Sequence, residues 1–572
     1  MPMGRGVHVP EADVVRLALA VLLLGSSCAE PDRPVIVRES RAVEAQGRTF
    51  HVDQQHPGAS DRHPGTEAKP WRTLSRATGR GVLRPGDTVV IHEGVYRESV
   101  EPREGGRPGA RITFRAAEGE TVVITGADLA ADWRRQSDGT WRRAWTGPPL
   151  PTYSDDPVFR QEMVIERGEV LRPVWHRDSL RAGTFWAEGP PESPAALVAR
   201  FREGPDRVEV AHRARLFWPL GADPNAECGS AGTPGYFRIQ GLTFRHAANR
   251  AQIGAVCLGS AGSLAEAVRV EWTNARGLDV SGREHLIRQS AADYNGQMGW
   301  GGACASCVIE DSRAVGNNWK GYDPFWEAGG GKWVRTTDTV IRRFLARDND
   351  GPGIWLDIDN ADNTIEGCLA ENNAIAGIAL EFRTVRTLVQ HNVVRGTRWV
   401  GWSGSGVISQ AASHNVLLHN TITSNEGGGI WLRRDPDKRA EDEHTLVARN
   451  LVMGNVTRRD VEARELSVEG ETASDVRTHT FRHNAIGFVR DREAIWRSSF
   501  FVHPTETPAG YRSDDLSGWR RLVTETGTVR EAGGMLPEPG PFPRAGAIGA
   551  YARVAGRHGA QAEAVGLGPL PR

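Results

Sequence analysis

The 572-residue chain has almost no net charge. Its 70 Lys and Arg stand against 71 Asp and Glu, a balance of −1, which offers no electrostatic footprint for nucleic acid or an anionic membrane surface. Cysteine is scarce. Setting Cys28 aside, Cys228, Cys257, Cys304, Cys307 and Cys368 are too few and too scattered to staple a protein of this length. Cys304-Ala-Ser-Cys307 lacks the two further ligands of a zinc site and leaves open a disulfide, a redox pair or inert core thiols. Long apolar runs are missing too, since no window beyond residue 30 approaches a membrane helix. No glycine motif follows a strand and opens a helix, so Gly329-Gly-Gly-Lys332 is not a nucleotide loop. There is no case for Ser/His/Asp or Cys/His catalysis, and His391 and His419 read as structural corner residues.

Glycine is abundant instead, with 66 Gly and 33 Pro spread along the chain, which favours short elements joined by turns. Eighteen Trp against seven Tyr would suit stacking on sugar rings if exposed, or would fill a core. Residues 1–30 read as an export signal, Arg5 and Arg16 preceding the apolar run Leu17-Ala-Leu-Ala-Val-Leu-Leu-Leu-Gly25. Leu24-Gly-Ser-Ser-Cys28 resembles a bacterial lipoprotein cleavage box, although Gly25 stands where that pattern has Leu. The expectation is a secreted or cell-envelope protein, with a membrane tether if Cys28 carries lipid.

An internal repeat runs from about 236 to 455. Gly353-Ile-Trp-Leu-Asp-Ile-Asp359 aligns with Gly377-Ile-Ala-Leu-Glu-Phe-Arg383 at an offset of 24, and looser copies follow at Gly406-Val-Ile-Ser-Gln410 and Gly429-Ile-Trp-Leu-Arg433. The third copy is delayed by the inserted Trp399-Val-Gly-Trp402. Asn349 and Asn373 recur in step, with Asn392 and Asn420 in similar posts. A period in the low twenties, alternation of two, Gly before the strand and Asn at the corner mark a parallel β-solenoid. Its Asn side chains would bond coil to coil. A leucine-rich horseshoe would need more Leu per repeat. A helix broken this often by Asn, Gly and β-branched residues would lose several tenths to about 1 kcal/mol at each.

The chain resembles the secreted bacterial right-handed parallel β-helix proteins. The N-terminal coils of such proteins are similar to "FHVDQQHPGASDRHPGTEAKPWRTLSRA", "LRPGDTVVIHEGVYRE" and "ITFRAAEGETVVITG" within 45–130. Residues 131–234, with "MVIERGEVLRPVWHRDSLRAGTFWAE", look like the small β-rich insertion of carbohydrate-active members, and "YFRIQGLTFRHAAN" resumes the coils. The main coils would occupy 235–455 and the last coils, cap and tail 456–572, where "GAIGAY" resembles a closing strand. The fold class expected is all-β, a right-handed parallel β-helix with a small β-rich insertion near the N-terminus.

Alternation then fixes the chemistry. With Ile354, Leu356 and Ile358 inward, Trp355, Asp357 and Asp359 point out; with Ile378, Leu380 and Phe382 inward, Glu381 points out in the column of Asp357. Neighbouring strands lie about 4.8 Å apart, close to the roughly 5 to 5.5 Å between the carboxyls of a retaining glycosidase and short of the roughly 6.5 to 9.5 Å of an inverting one. Two carboxylates that close cannot both ionise cheaply, so one should keep a proton as a general acid must. They could instead simply solvate an exposed face or offset Arg383 and Arg433. Upstream, "NNWKGYDPFWEAGGGKWVR" brings Tyr322, Asp323, Trp326, Glu327, Lys332 and Trp333 near the same face. Its three consecutive glycines suggest a poorly buried strand approached by a ligand, or a bend. Trp326, Trp355, Trp402 and Trp431 would form stacking platforms, with Glu327, Lys332, Asp359 and Arg383 beside them.

"GIWLD" followed one coil later by a strand ending in Glu also resembles the catalytic pair of the β-helix β-xylosidase family of glycoside hydrolases. That resemblance implies Asp357 as nucleophile and Glu381 as acid/base, needs no cofactor or metal, and makes an oligo- or polysaccharide the partner. The continuation Ile358-Asp359-Asn360 departs from the family, so its substrate does not carry over. A polysaccharide lyase is the alternative, with Asp323, Asp357, Asp359 and Glu381 as Ca²⁺ ligands and Lys332 as base. A non-catalytic glycan-binding solenoid is the third reading.

Overall fold

The computed structural model describes residues 45–433, except 153, 222, 224 and 225, and shorter segments between 444 and 532. The export segment, Cys28 and "GAIGAY" lie outside the described residues. The chain is a right-handed parallel β-helix whose three long sheets contain 14, 13 and 11 strands among the described residues. Helix there is confined to Leu74–Ala77 and two short 3-10 turns.

Stacking in register builds the core. In the first sheet Ile239, Ala265, Ile287, Ile309, Ile341, Ile365, Val389, Leu417 and Val447 pair one above the next, and all are buried. Each such Ile, Leu or Val contributes about 1.5–3 kcal/mol by leaving water, a gain no isolated coil could realise. The N-terminal coils fill the lumen with aromatics, Phe114 meeting Phe217 edge-on at 5.5 Å and Phe217 meeting Phe237 at 5.6 Å.

Asparagine ladders close two corners. The backbone N–H of Asn295 donates to Asn317 Oδ1 (2.9 Å), that of Asn317 to Asn349 Oδ1 (3.0 Å), and that of Asn349 to Asn373 Oδ1 (3.3 Å). A second ladder at a different corner runs through Asn392, Asn420, Asn450 and Asn484. Each buried corner donor, which would cost about 1–3 kcal/mol unpaired, is thereby met by the next coil. The ladder also explains the glycine opening the Gly353 rung. A Cβ at Gly353 would fall 2.6 Å from Asn373 Nδ2 and 2.7 Å from the Gly377 carbonyl oxygen.

The two corners after the third sheet carry a mixed ladder. Cys304 donates its N–H to Thr336 and Cys307 to Thr339, and Thr336 and Thr339 donate to Asn360 and Asn363. Cys304 and Cys307 form a disulfide, as do Cys228 and Cys257 with Cα atoms 5.7 Å apart, while Cys368 is free and buried. Burial pushes the Cys368 thiol up to about 12. His391 and His419 stack in parallel at 5.2 Å on a corner.

The insertion comprises a four-stranded and a five-stranded sheet built from strands between Ala127–Leu129 and Val208–Ala211. It therefore begins and ends earlier than the expected 131–234, because Phe217 already bridges Val100 and Val256 within the solenoid. Its 3-10 turn Pro157–Phe159 reaches the main coils, where Phe159 packs against Tyr322 (5.4 Å) and Trp326 (5.3 Å).

Candidate active site

The third sheet presents two adjacent outward columns in the coils where the repeat is clearest. Lys332 pairs with Trp355, Trp355 with Ala379, Ala379 with Ile408 and Ile408 with Trp431. In the neighbouring column Glu381 pairs with Gln410 and Gln410 with Arg433. Asp357 follows Leu356, the partner of Leu380, and donates its N–H to the Trp333 carbonyl, so it stands opposite Glu381 one coil earlier. The two residues are vertical neighbours on one wall.

They are not equally open. The Asp357 side chain is only 8% exposed, so the water-facing position expected of it is corrected to an outward but covered one. Lys332 Nζ lies 2.9 Å from Asp357 Oδ2, donates to the Trp326 carbonyl at 2.9 Å, and sits 4.0 Å from the Trp355 ring centroid. Asp357 Oδ1 is buried without a hydrogen-bond partner. Glu381 is partly exposed, and its Oε2 accepts the Trp355 indole N–H at 2.9 Å. Trp355 thus joins the two halves, a cation on its face and a carboxylate on its nitrogen. The corner ladder supports both: Asn360 Nδ2 donates to the Asp357 carbonyl (2.8 Å) and the Thr384 hydroxyl to the Glu381 carbonyl (2.6 Å).

Residues 318–328 leave the corner at Asn317 as a loop over this wall. Asn318 closes it by exchanging hydrogen bonds with Tyr322, and Asp323 accepts the Phe325 N–H at 2.9 Å. Glu327 is committed to Arg276 (2.8 Å) and Gln252, and Arg276 also holds Asp279 at 3.0 Å. Burial pushes the Asp279 carboxyl above its ordinary range despite that partner. Lys320, enclosed between Asn274 Oδ1 (2.7 Å) and the Arg160 carbonyl of the insertion, is pushed down to about 7 by burial.

Several expected site residues stand elsewhere. Ile358 and Phe382 do not enter the core, because both take left-handed backbone (φ 60° and 38°) where the strand has ended and alternation no longer applies. Asp359 and Arg383 lie on that turn as an exposed ion pair with each other, and the guanidinium holds the Asp359 carboxyl below its usual range. Trp355 is 4% exposed in a buried cluster with Ile375 and Ile408, against which Val400 packs, so it is not an open platform. Trp326 packs on the insertion through Phe159. The strand Gly329–Trp333 is buried throughout. Its glycines approach the protein itself: Gly329 and Gly330 press on the next coil, and a Cβ at Gly331 would fall 2.6 Å from the Trp333 ring. The carboxylates a cation would need are dispersed among separate partners, and among the described residues no group of three His, Cys, Asp or Glu is disposed to hold a metal ion.

Trp402 and Trp431 do meet, edge to face at 5.6 Å, and Phe325 stacks on Trp402 at 5.5 Å. Arg433 lies 4.6 Å from the Trp402 ring centroid and donates to Gln410 Oε1 at 2.8 Å. Gln410 and Arg433 were within reach of the repeat, being the fifth residues of their rungs like Asp357 and Glu381. Phe325 gave no such signal.

Comparison with known proteins agrees with the architecture. Residues 254–402 match the family described as "Right handed beta helix region". An uncharacterized protein of Bacillus subtilis (strain 168), YwoF, is 43% identical over 87 residues, covering 15% of this chain and 18% of that relative. Among solved structures, XylC in complex with xylose superposes with a TM-score of 0.56 at 17% identity, covering 81% of this chain and 87% of that one. The A-module of the Azotobacter vinelandii mannuronan C-5 epimerase AlgE6 gives 0.46 at 14%, covering 83% and 96%. The likeness to XylC concerns the fold.

Proposed function

We propose that the protein is a carbohydrate-active enzyme, a retaining glycoside hydrolase with Asp357 as nucleophile and Glu381 as acid/base, acting on an oligo- or polysaccharide outside the cell. The observation that carries this reading is the asymmetry of the Asp357 carboxylate. Lys332 holds Oδ2, while Oδ1 is buried and unpartnered, one rung from a second carboxylate. An unpaired buried carboxylate oxygen costs about 1–3 kcal/mol or more, and a nucleophile needs that free lone pair.

In the first step the sugar displaces the cover over Asp357, whose Oδ1 attacks the anomeric carbon while the bond to the leaving oxygen breaks, and Glu381 transfers its proton to that oxygen. Ionised Glu381 then takes a proton from water, whose oxygen attacks the same carbon, breaks the ester to Asp357 and releases the sugar with retained configuration. Lys332 orients Asp357 and balances its charge; the Trp355 N–H orients Glu381. The lyase alternative fares worse, since a base must aim a lone pair at its substrate and Lys332 already directs its donors at Asp357, Trp326 and the Trp355 ring.

The test is digestion of a glycan panel by wild type and Asp357→Asn side by side, with anomeric configuration followed by proton NMR. Turnover with retention by wild type and none by the variant is expected. Equal turnover by both ends the mechanism, an unsaturated uronide absorbing in the ultraviolet establishes the lyase, and binding without turnover leaves a glycan-binding solenoid. Export and lipidation are tested by labelling with a fatty acid and by Cys28→Ala.

A further inference from the structure

Resting on that reading, the order of the two carboxylates along the solenoid sets a direction. In a retaining hydrolase the acid stands on the side from which the leaving group departs. Glu381 is one coil C-terminal to Asp357, so the leaving saccharide must extend toward the later coils. The opposite direction is occupied by the buried Arg276, Asp279 and Glu327 network and by Lys332. The later coils present a different surface. Gln410 and Arg433 continue the column beyond Glu381, and Phe325 and Trp402 remain 37% and 38% exposed beside them, Trp402 alone among the described tryptophans being so open.

We infer that Phe325, Trp402, Trp431 and Arg433 form the leaving-group subsite, which receives the pyranose ring departing from Glu381. The two exposed rings, with centroids 5.5 Å apart, offer their open apolar surface to a sugar, and the half-buried Arg433, held over Trp402 by the buried Gln410, offers donors to its hydroxyls. The subsite joins two separate excursions of the chain: Phe325 stands on loop 318–328, and Trp402 on the inserted turn after Asn392. A Cβ at Gly401, in left-handed backbone, would fall 2.5 Å from the Phe325 ring, so this turn is shaped to the loop it meets.

The test pairs substrates that share a glycone and differ only in the leaving group. Xylobiose, cellobiose and lactose are assayed beside β-xylosyl, β-glucosyl and β-galactosyl fluoride, because fluoride cannot stack and leaves without a proton. For whichever pair is turned over, Trp402→Ala and Phe325→Ala should each lower the ratio of kcat/KM for disaccharide to that for fluoride at least about tenfold, on the scale of one stacked ring, and Trp402→Phe should recover part of it. A merely structural role would lower both substrates together and leave the ratio unchanged, which would overturn the inference. If wild type turns over none of them and no member of the glycan panel, the hydrolase reading fails by itself. The platform is then read by affinity electrophoresis through gels containing xylan, cellulose derivatives or galactan: retardation lost in Trp402→Ala supports it, and equal mobility of variant and wild type rejects it.

Discussion

The outer faces of the first two sheets and of the third obey one geometric rule and hold opposite chemistry. In the first sheet the outward column reads Glu266, Arg288, Glu310, Arg342, Glu366, alternating in sign at every coil, with Arg288 to Glu266 at 2.8 Å and Arg342 to Glu310 at 2.6 Å. The second sheet repeats the device with Arg347, Glu371 and Arg395. Each charge there is matched by the coil before or after it and stays in contact with water. On the third sheet the outward residues Lys332, Trp355 and Asp357 are covered, and Asp357 keeps one oxygen without a partner. Parallel stacking therefore places like columns anywhere around the solenoid, and the covering decides which of them becomes a site. Pairs still in contact with water are each worth only about 0–1 kcal/mol, whereas a covered pair cannot lose one member cheaply.

That contrast can be broken in four ways. Asp357→Asn should lower turnover by on the order of 10⁴-fold or more, while Glu310→Gln, the same change of charge on the first sheet, should leave it within about twofold; comparable losses would show that the third face is not special. Lys332→Met leaves the Asp357 charge covered and alone, and should cost about 3–5 kcal/mol in urea denaturation. A cost no larger than that of Arg342→Met would mean the covering is loose.

His285 sharpens the distinction within the corners. It is fully buried, its Nδ1 accepts the Ser263 N–H, and burial holds it at about 4, below its ordinary 6.5. A depressed value means that the neutral folded form contributes stability fully above pH 6.5 and loses it as pH falls toward 4. Roughly 2–3 kcal/mol should disappear across that window. His285→Asn, the residue that Asn363 supplies on the same ladder, should flatten the profile; an unchanged acid limb would refute the assignment. The smallest effect belongs to Arg342→Gln, under about 1 kcal/mol and fading further in high salt.

Much of this was legible in the residues. A coil of 24 positions returns each side chain above its predecessor, so aligning Gly353 with Gly377 was enough to superpose Asp357 and Glu381 and to identify Asn349 and Asn373 as one ladder. The reading failed where periodicity ended. Ile358 and Phe382 kept the apolar pattern but followed a turn into left-handed backbone, and the three glycines looked unpacked because the bodies pressing on them, the next coil and the Trp333 ring, lie far along the chain or fold back locally. Trp355 looked open because nothing in its rung announces the cluster it joins with Ile375 and Ile408 of later coils.

By itself the sequence determined the solenoid, its corners and the vertical order of the two carboxylates, since these follow from local alternation and a fixed repeat. Only the tertiary structure decided that Lys332 would seal Asp357, that Asp359 and Arg383 would pair off on the turn, and that Phe325 would meet Trp402. Those outcomes depend on how far loop 318–328, the inserted turn and the Phe159 hook reach across the third sheet, and the length and path of an excursion are set by packing between distant segments, which no repeat encodes.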